Sequence, residues 1–231
     1  MRTRNIFILF TMLALHLSAC TDIEDGTTDI DSWPAINEYT LAHPCMLHTA
    51  ADLSYVASKL TVAPWSEGYD KLKNSGYSYA GYVPTPQEVL GRMDQGNWAS
   101  KFPEWWNNYT YFYKDAAAAY QLALRWKLEG DVACGQPAVK ILNAWAETCK
   151  GLVRVKSLAN DRTYDANGEI ADPNEYLISI NVHQMANAAE IMRTDETLFT
   201  KAQLSAFQTM MKNVFYPAAS DFLAHKEACK Q

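Results

Sequence analysis

Residues Asp115 to Glu129 read DAAAAYQLALRWKLE. Nearly every residue in this run is a strong helix former, and apolar side chains fall on most sides of the helix it makes. Such a helix cannot face water on any broad side. It must be wrapped by others, so the run predicts a deeply buried central helix in an all-α array, ended by Gly130.

Neighbouring segments repeat the helical signal. Thr49 with Asp52 three residues on reads as a capping box, followed by Leu53, Val56, Ala57 and Leu60 at helical spacing. Ala138, Ile141, Leu142, Trp145, Cys149 and Leu152 mark one face of a second helix. Asp172-Pro173-Asn174-Glu175 has the form of a helix start, with an N-cap Asp and a Pro in the first turn. Thr200 and Gln203 open a fourth helix whose inner face is Leu204, Phe207, Met211 and Val214. Pro217 is expected to interrupt it, with Phe222 and Leu223 in a further short helix. Residues 74–103, rich in Gly, Pro, Ser and Tyr, read as a long ordered loop. No strand pair stands out, and the pattern argues for stacked helical hairpins.

The first residues address the compartment. Arg2 and Arg4 precede an apolar run from Ile6 to Leu17, the length of a signal-peptide core and short for a bilayer span. It closes in Leu17-Ser18-Ala19-Cys20, which resembles a bacterial lipobox. That resemblance implies cleavage before Cys20 and attachment of the chain to outer-membrane lipid through the acylated cysteine; an ordinary signal peptide with a chance cysteine is the alternative. The acidic stretch Asp22, Glu24, Asp25 resembles surface-export signals of Bacteroidetes lipoproteins, so the expected location is periplasmic or cell-surface. The resulting division is a leader over 1–19, a polar tether over 20–42 and a helical domain over 43–231.

Losing the leader takes the 20 basic residues to 18, against 26 acidic ones, a charge of about −8. An acidic chain without a Lys/Arg cluster is a poor nucleic-acid binder. A polyanionic substrate would need local basic groups in a cleft. Cys45, Cys134, Cys149 and Cys229 remain besides Cys20, permit disulfides in an exported chain, and allow three pairings among which the sequence does not choose, free buried cysteines being as compatible with it. None shows CxxC spacing, so neither a metal cluster nor a cofactor is expected.

The third helix carries the candidate chemistry. At about 100° per residue, Ile178, Val182, Met185, Ala189 and Met192 form its core stripe. His183, Gln184 and Asn187 point the other way, beside Ile180 and Ile191. An imidazole and two amides among isoleucines suit a partly enclosed cleft, although buried groups of this kind more often satisfy neighbouring backbone. Trp98, Trp105, Trp106, Tyr109, Tyr111, Phe112 and Tyr113 crowd into sixteen residues and offer flat surfaces for sugar rings or a packed core edge. The triplet Asn108-Tyr109-Thr110 is glycosylation-like and is disregarded in a bacterial chain. Nucleophile-elbow, zincin, P-loop and dinucleotide fingerprints are all absent, and no carboxylate pair identifies a glycosidase.

Several stretches together are similar to the alginate-lyase-like polysaccharide lyases of Bacteroidetes. They are His43-Pro44-Cys45-Met46-Leu47-His48-Thr49 with Asp52-Leu53 and Pro64-Trp65, then Asp115 to Trp126, Ile141 to Ala146, Gln184 to Arg193, Val214 to Pro217 and Phe222 to His225. The resemblance runs in order over roughly residues 43–228 and is closest to the glucuronan and alginate lyases with an (α/α) toroid. Cys45 departs from it, since Gly is usual there. It implies β-elimination on a uronic-acid polymer. A carboxylate-bearing sugar needs its developing charge neutralised, a Tyr or His to take the C5 proton and a Tyr to protonate O4. Asn187 suits the neutralising role, with Gln184 beside it; His183 is a base or second neutraliser. Trp105, Trp106, Tyr109 and Tyr113 are candidates for holding an acidic polysaccharide, as is Arg193, which lies well round the helix from Asn187 and has a structural role as its alternative.

In that group the chain continues past the His225 region into helices that bring an Asn-Trp-Asp segment and further Tyr/His residues. Here the sequence stops at Gln231, so the resemblance implies an incomplete toroid with apolar surface exposed where more helices would pack. A non-catalytic glycan-binding lipoprotein, or a helical interaction protein, would also account for the aromatics and the short chain.

Overall fold

The computed structural model describes residues 41–91, 108–152 and 180–220, and the backbone alone at 154–155, 164–165, 170–171 and 221–224. Trp98, Trp105, Trp106, Cys20, Cys229 and the Asp172 helix start lie outside the described residues. What is described is mostly helical. The order is α1 (Ala50–Ala57), α2 (Trp65–Lys73), β1 (Val89–Leu90), α3 (Tyr109–Glu129), α4 (Val132–Thr148), β2 (Gly151–Leu152), β3 (Arg154–Val155), β4 (Tyr164–Asp165), β5 (Ile170–Ala171), α5 (Val182–Met192) and α6 (Lys201–Met210). A π-helical turn (Met211–Phe215) then leads into α7 (Tyr216–Ala224).

The central helix is α3. It begins six residues before Asp115 and ends where Gly130 takes the left-handed φ of 74°. Its buried set, Phe112, Asp115, Ala116, Ala118, Ala119, Leu122, Ala123 and Trp126, goes most of the way round. Alanines let α4 and α5 approach α3 closely, and these are its main neighbours. Phe112 meets Trp145 of α4 edge-to-face at 5.1 Å and stacks on Phe215 at 4.9 Å. One aromatic of the dense cluster is therefore core. Both capping boxes form, Thr49–Asp52 on α1 and Thr200–Gln203 on α6.

Asp115 is wholly buried. It accepts hydrogen bonds from the Tyr82 hydroxyl (2.8 Å), the Thr85 amide (2.7 Å) and the Trp145 indole (2.7 Å). Burial first, then the neighbouring carboxylate, pushes the Tyr82 phenol far above its ordinary range. Arg125 pins the same loop from further along α3, donating to the Ser78 carbonyl (2.5 Å) and to Glu129 (2.7 Å). Asn108 is also spent on structure: its carbonyl accepts from Gly91 N (2.9 Å) and its amide donates to the Val89 carbonyl (3.0 Å).

Two features differ from the sequence reading, and the state of three cysteines is decided. Short strands exist: β1 pairs parallel with β2, and β3 lies antiparallel between β4 and β5. Each has two residues, too few for an alternating pattern to show. The helix is not broken at Pro217. The five-residue π turn precedes the proline, which lacks the N–H an α turn would need from it, and the chain continues as α7. Cys45, Cys134 and Cys149 are free thiols, and burial pushes Cys149 up to about 11.

Gly135 and Asp115 give the fold two sensitive points. A Cβ at Gly135 would lie 2.8 Å from Trp126 Cδ1 and 3.2 Å from Leu198 Cδ1, and both sit inside packed neighbours. Gly135→Ala should cost about 1–3 kcal/mol by denaturant unfolding. Gly68→Ala, in α2 with open space around it, should stabilise by roughly 0.5–1 kcal/mol. Asp115→Ala strands three donors and should cost at least about 3 kcal/mol. A neutral Gly135→Ala would mean that α4 does not pack this closely on α3.

Candidate functional site

The segment His43–Thr49 forms a tight loop closed by a bridge between Cys45 and Thr49. It lies against α5, and two polar residues of that helix hold it. Asn187 accepts from the Leu47 amide (3.1 Å) and donates to the His183 carbonyl one turn back (2.7 Å). Glu190, three residues on, takes His43 Nδ1 (2.5 Å), the Cys45 amide (3.0 Å) and the Cys45 thiol (3.4 Å) on Oε1. Its Oε2 accepts from Arg193 Nη1 (3.3 Å). Burial by itself would raise the Glu190 carboxyl. The hydrogen bonds from His43 and Cys45 outweigh it and hold the group below the usual range.

The expected outward face of α5 is therefore covered only in part. Asn187 and Glu190 are buried where the 43–49 loop bonds to them, and Ile191 is buried as well, while Ile180 is exposed. Met185, Ala189 and Met192 are buried as expected, while Ile178 lies outside the described residues. His183 is exposed, with Nδ1 against the Ile180 carbonyl (2.7 Å). Gln184 is half-buried, and its Oε1 has no hydrogen-bond partner among the described residues. An orphan acceptor of this kind invites a donor.

The loop carries one more side chain into the interior. His48 Nε2 is hydrogen-bonded to the Tyr120 hydroxyl of α3, and the two rings stack at 5.8 Å with 20° between planes. Burial lowers the His48 imidazole, only partly opposed by the Asp52 charge, and burial raises the Tyr120 phenol. At neutral pH the pair is thus a neutral imidazole beside a protonated phenol. Tyr109 and Tyr113 lie about three and two turns before Tyr120, hence on the same side of α3. They meet edge-to-face at 5.1 Å and pack partly into the core.

Beside the loop runs a groove of about 720 Å³ between α5 and the α6–α7 stretch. Its wall is mainly apolar, with Met46, Val182, Phe207 and Phe215, and it carries Glu190, Arg193 and Lys212. So His183, Gln184 and Asn187 share one helix with Arg193 at its C-cap, and Asn187 is the one that bonds the loop among the described contacts. The residues that sequence reasoning missed are His48, Tyr120, His43 and Glu190. Three potentially reactive side chains within six positions (His43, Cys45, His48) were the available signal. Their partners stand 72 and 147 positions away.

Comparison with family models, with curated proteins and with solved structures gives no match for this chain.

The His48–Tyr120 pair has a pH signature. The folded value of His48 lies below its ordinary 6.5, so the unfolded chain binds the proton more readily. The stability it contributes is whole above pH 6.5 and drains as pH falls through the folded value. His48→Gln should flatten the fall in Tm between pH 6.5 and about 5, a window above most carboxylate titrations. An unchanged slope would show that the imidazole titrates as in water.

Proposed function

We propose that this chain is a polysaccharide lyase that cleaves a uronic-acid polymer, of the glucuronan or alginate type, by β-elimination. The observation that carries the reading is the half-buried His48–Tyr120 pair, with its opposite protonation tendencies. Elimination needs a base that is neutral before it acts and an acid that still holds its proton. In the proposed step His48 Nε2 takes the C5 proton of the uronate. The C5–H electron pair becomes the C4=C5 double bond, the C4–O4 bond breaks, and the Tyr120 hydroxyl delivers its proton to O4.

Other features support the same reading. Tyr109 and Tyr113 extend an aromatic row along α3 from the pair, suited to stacking on sugar rings. Arg193 and Lys212 outnumber Glu190 in the mainly apolar groove, the local positive charge an acidic chain needs to hold a polyanion. Asn187, the neutralising group implied by the resemblance, also fixes Leu47 and so the position of His48. In this proposal the paired helices belong to an (α/α) toroid. Export and lipid attachment at Cys20 rest on the leader sequence, and no helix among the described residues is long and apolar enough to cross a membrane.

The tyrosine row by itself favours a second reading, a glycan-binding lipoprotein without catalysis. Incubation with glucuronan and with alginate separates the two, followed by ultraviolet absorbance of the unsaturated uronate. The expected result is product from one of them, with kcat lowered roughly 10²–10⁴-fold in Tyr120→Phe and in His48→Ala. Binding without product would favour the second reading. A Tyr120→Phe variant with undiminished kcat would remove the pair from the chemistry.

A further inference from the structure

Three different donor atoms converge at the edge of the loop. His43 Nδ1, Cys45 Sγ and Glu190 Oε1 all lie within 4.8 Å of one another. The pairwise separations are 2.5 Å for nitrogen to oxygen, 3.4 Å for nitrogen to sulfur and 3.4 Å for sulfur to oxygen. A nucleophile relay does not fit this arrangement. A histidine that activates a thiol uses one ring nitrogen for the thiol and the other for the carboxylate. Here Nδ1 faces both.

Convergence on one point is what a metal ion requires. Tetrahedral zinc bonds of about 2.0–2.3 Å place neighbouring ligand atoms about 3.3–3.6 Å apart. The two separations to sulfur already lie there. The third is a hydrogen bond, and it would open by about 0.8 Å when the ion takes the bridging proton's place. Arg193 holds the other carboxylate oxygen (3.3 Å), so Oε1 is oriented from behind and a cation outside the ligand set balances charge. Thiolate plus imidazole plus carboxylate selects a zinc-class ion over calcium or magnesium. Cys45 is exposed and the His43 side chain is 28% exposed, so solvent can supply a fourth ligand.

A second group, Glu129, Asp131 and Cys134, serves as a contrast. Glu129 is clamped by Arg125 at 2.7 and 3.3 Å, and Asp131 caps α4 through the Ala133 amide (2.9 Å). Arg125 thus takes both oxygens of Glu129, the cap takes Oδ1 of Asp131, and Cys134 is buried.

We propose that His43, Cys45 and Glu190 bind one divalent ion of the zinc class, with a fourth position open to solvent. Binding releases the Cys45 thiol proton, while the imidazole carries its proton on Nε2. The site does not depend on the lyase reading.

Cobalt(II) is the probe, titrated into the reduced, chelator-treated protein and then displaced by zinc. One equivalent should bind with a thiolate-to-cobalt charge-transfer band, and zinc should raise the Tm. Cys45→Ser should abolish the band and His43→Ala should weaken binding at least about tenfold, each with an unchanged far-ultraviolet circular dichroism spectrum. Cys134→Ala should keep band and affinity. Absence of the band in the wild type, its survival in Cys45→Ser, or its loss in Cys134→Ala would each overturn the assignment.

Discussion

A buried carboxylate that has no cation beside it among the described residues fixes the frame. Asp115 is held by three neutral donors, one from α4 and two from the loop before β1. Burying an anion this deeply is costly unless every lone pair is engaged. The donors therefore have to arrive together, and their arrival sets the rotation of α3. Trp145, one of the three, packs on Phe112, and Phe112 packs on Phe215 at the end of the π turn. A single polar point thus ties the central helix to α4, to the loop and to the last helical stretch. Tyr120 lies five residues further along the same helix, so its direction toward the 43–49 loop follows from that anchoring.

The site then depends on how α5 spends its polar side chains. A helix buried on nearly every side has to find partners for any polar group it carries. Asn187 and Glu190 find theirs in the backbone and side chains of the loop. This turns a short irregular segment into a rigid platform for His48. In the proposed elimination His48 transfers a proton, and fixed neighbouring hydrogen bonds are what position such a group. The same bonds explain why Asn187 matters even if it never touches a substrate.

Much of the fold was legible because its causes are local. The alanine-rich run, the Gly130 stop and the two capping boxes are each decided within a few residues. The buried stripe of α5 also follows from spacing alone. What lies opposite that stripe did not, because a helical wheel cannot tell water from a covering loop. His183 behaves as an outward residue and Asn187, four positions on, does not; only the path of residues 43–49 separates them. The His48–Tyr120 and His43–Glu190 pairs were hidden for the same reason: no periodicity links positions so far apart. Two-residue strands and a π turn before Pro217 are set by packing and by one missing N–H, not by a pattern.

Glu190 links the loop to the groove. Its Oε1 accepts from His43 and from the Cys45 amide, and its Oε2 accepts from Arg193. The same carboxylate lines the groove together with Arg193 and Lys212. One acidic and two basic side chains leave that wall with one net positive charge, on a chain whose net charge is −6. Loop docking and groove electrostatics therefore meet in one residue, which anchors the first and moderates the second.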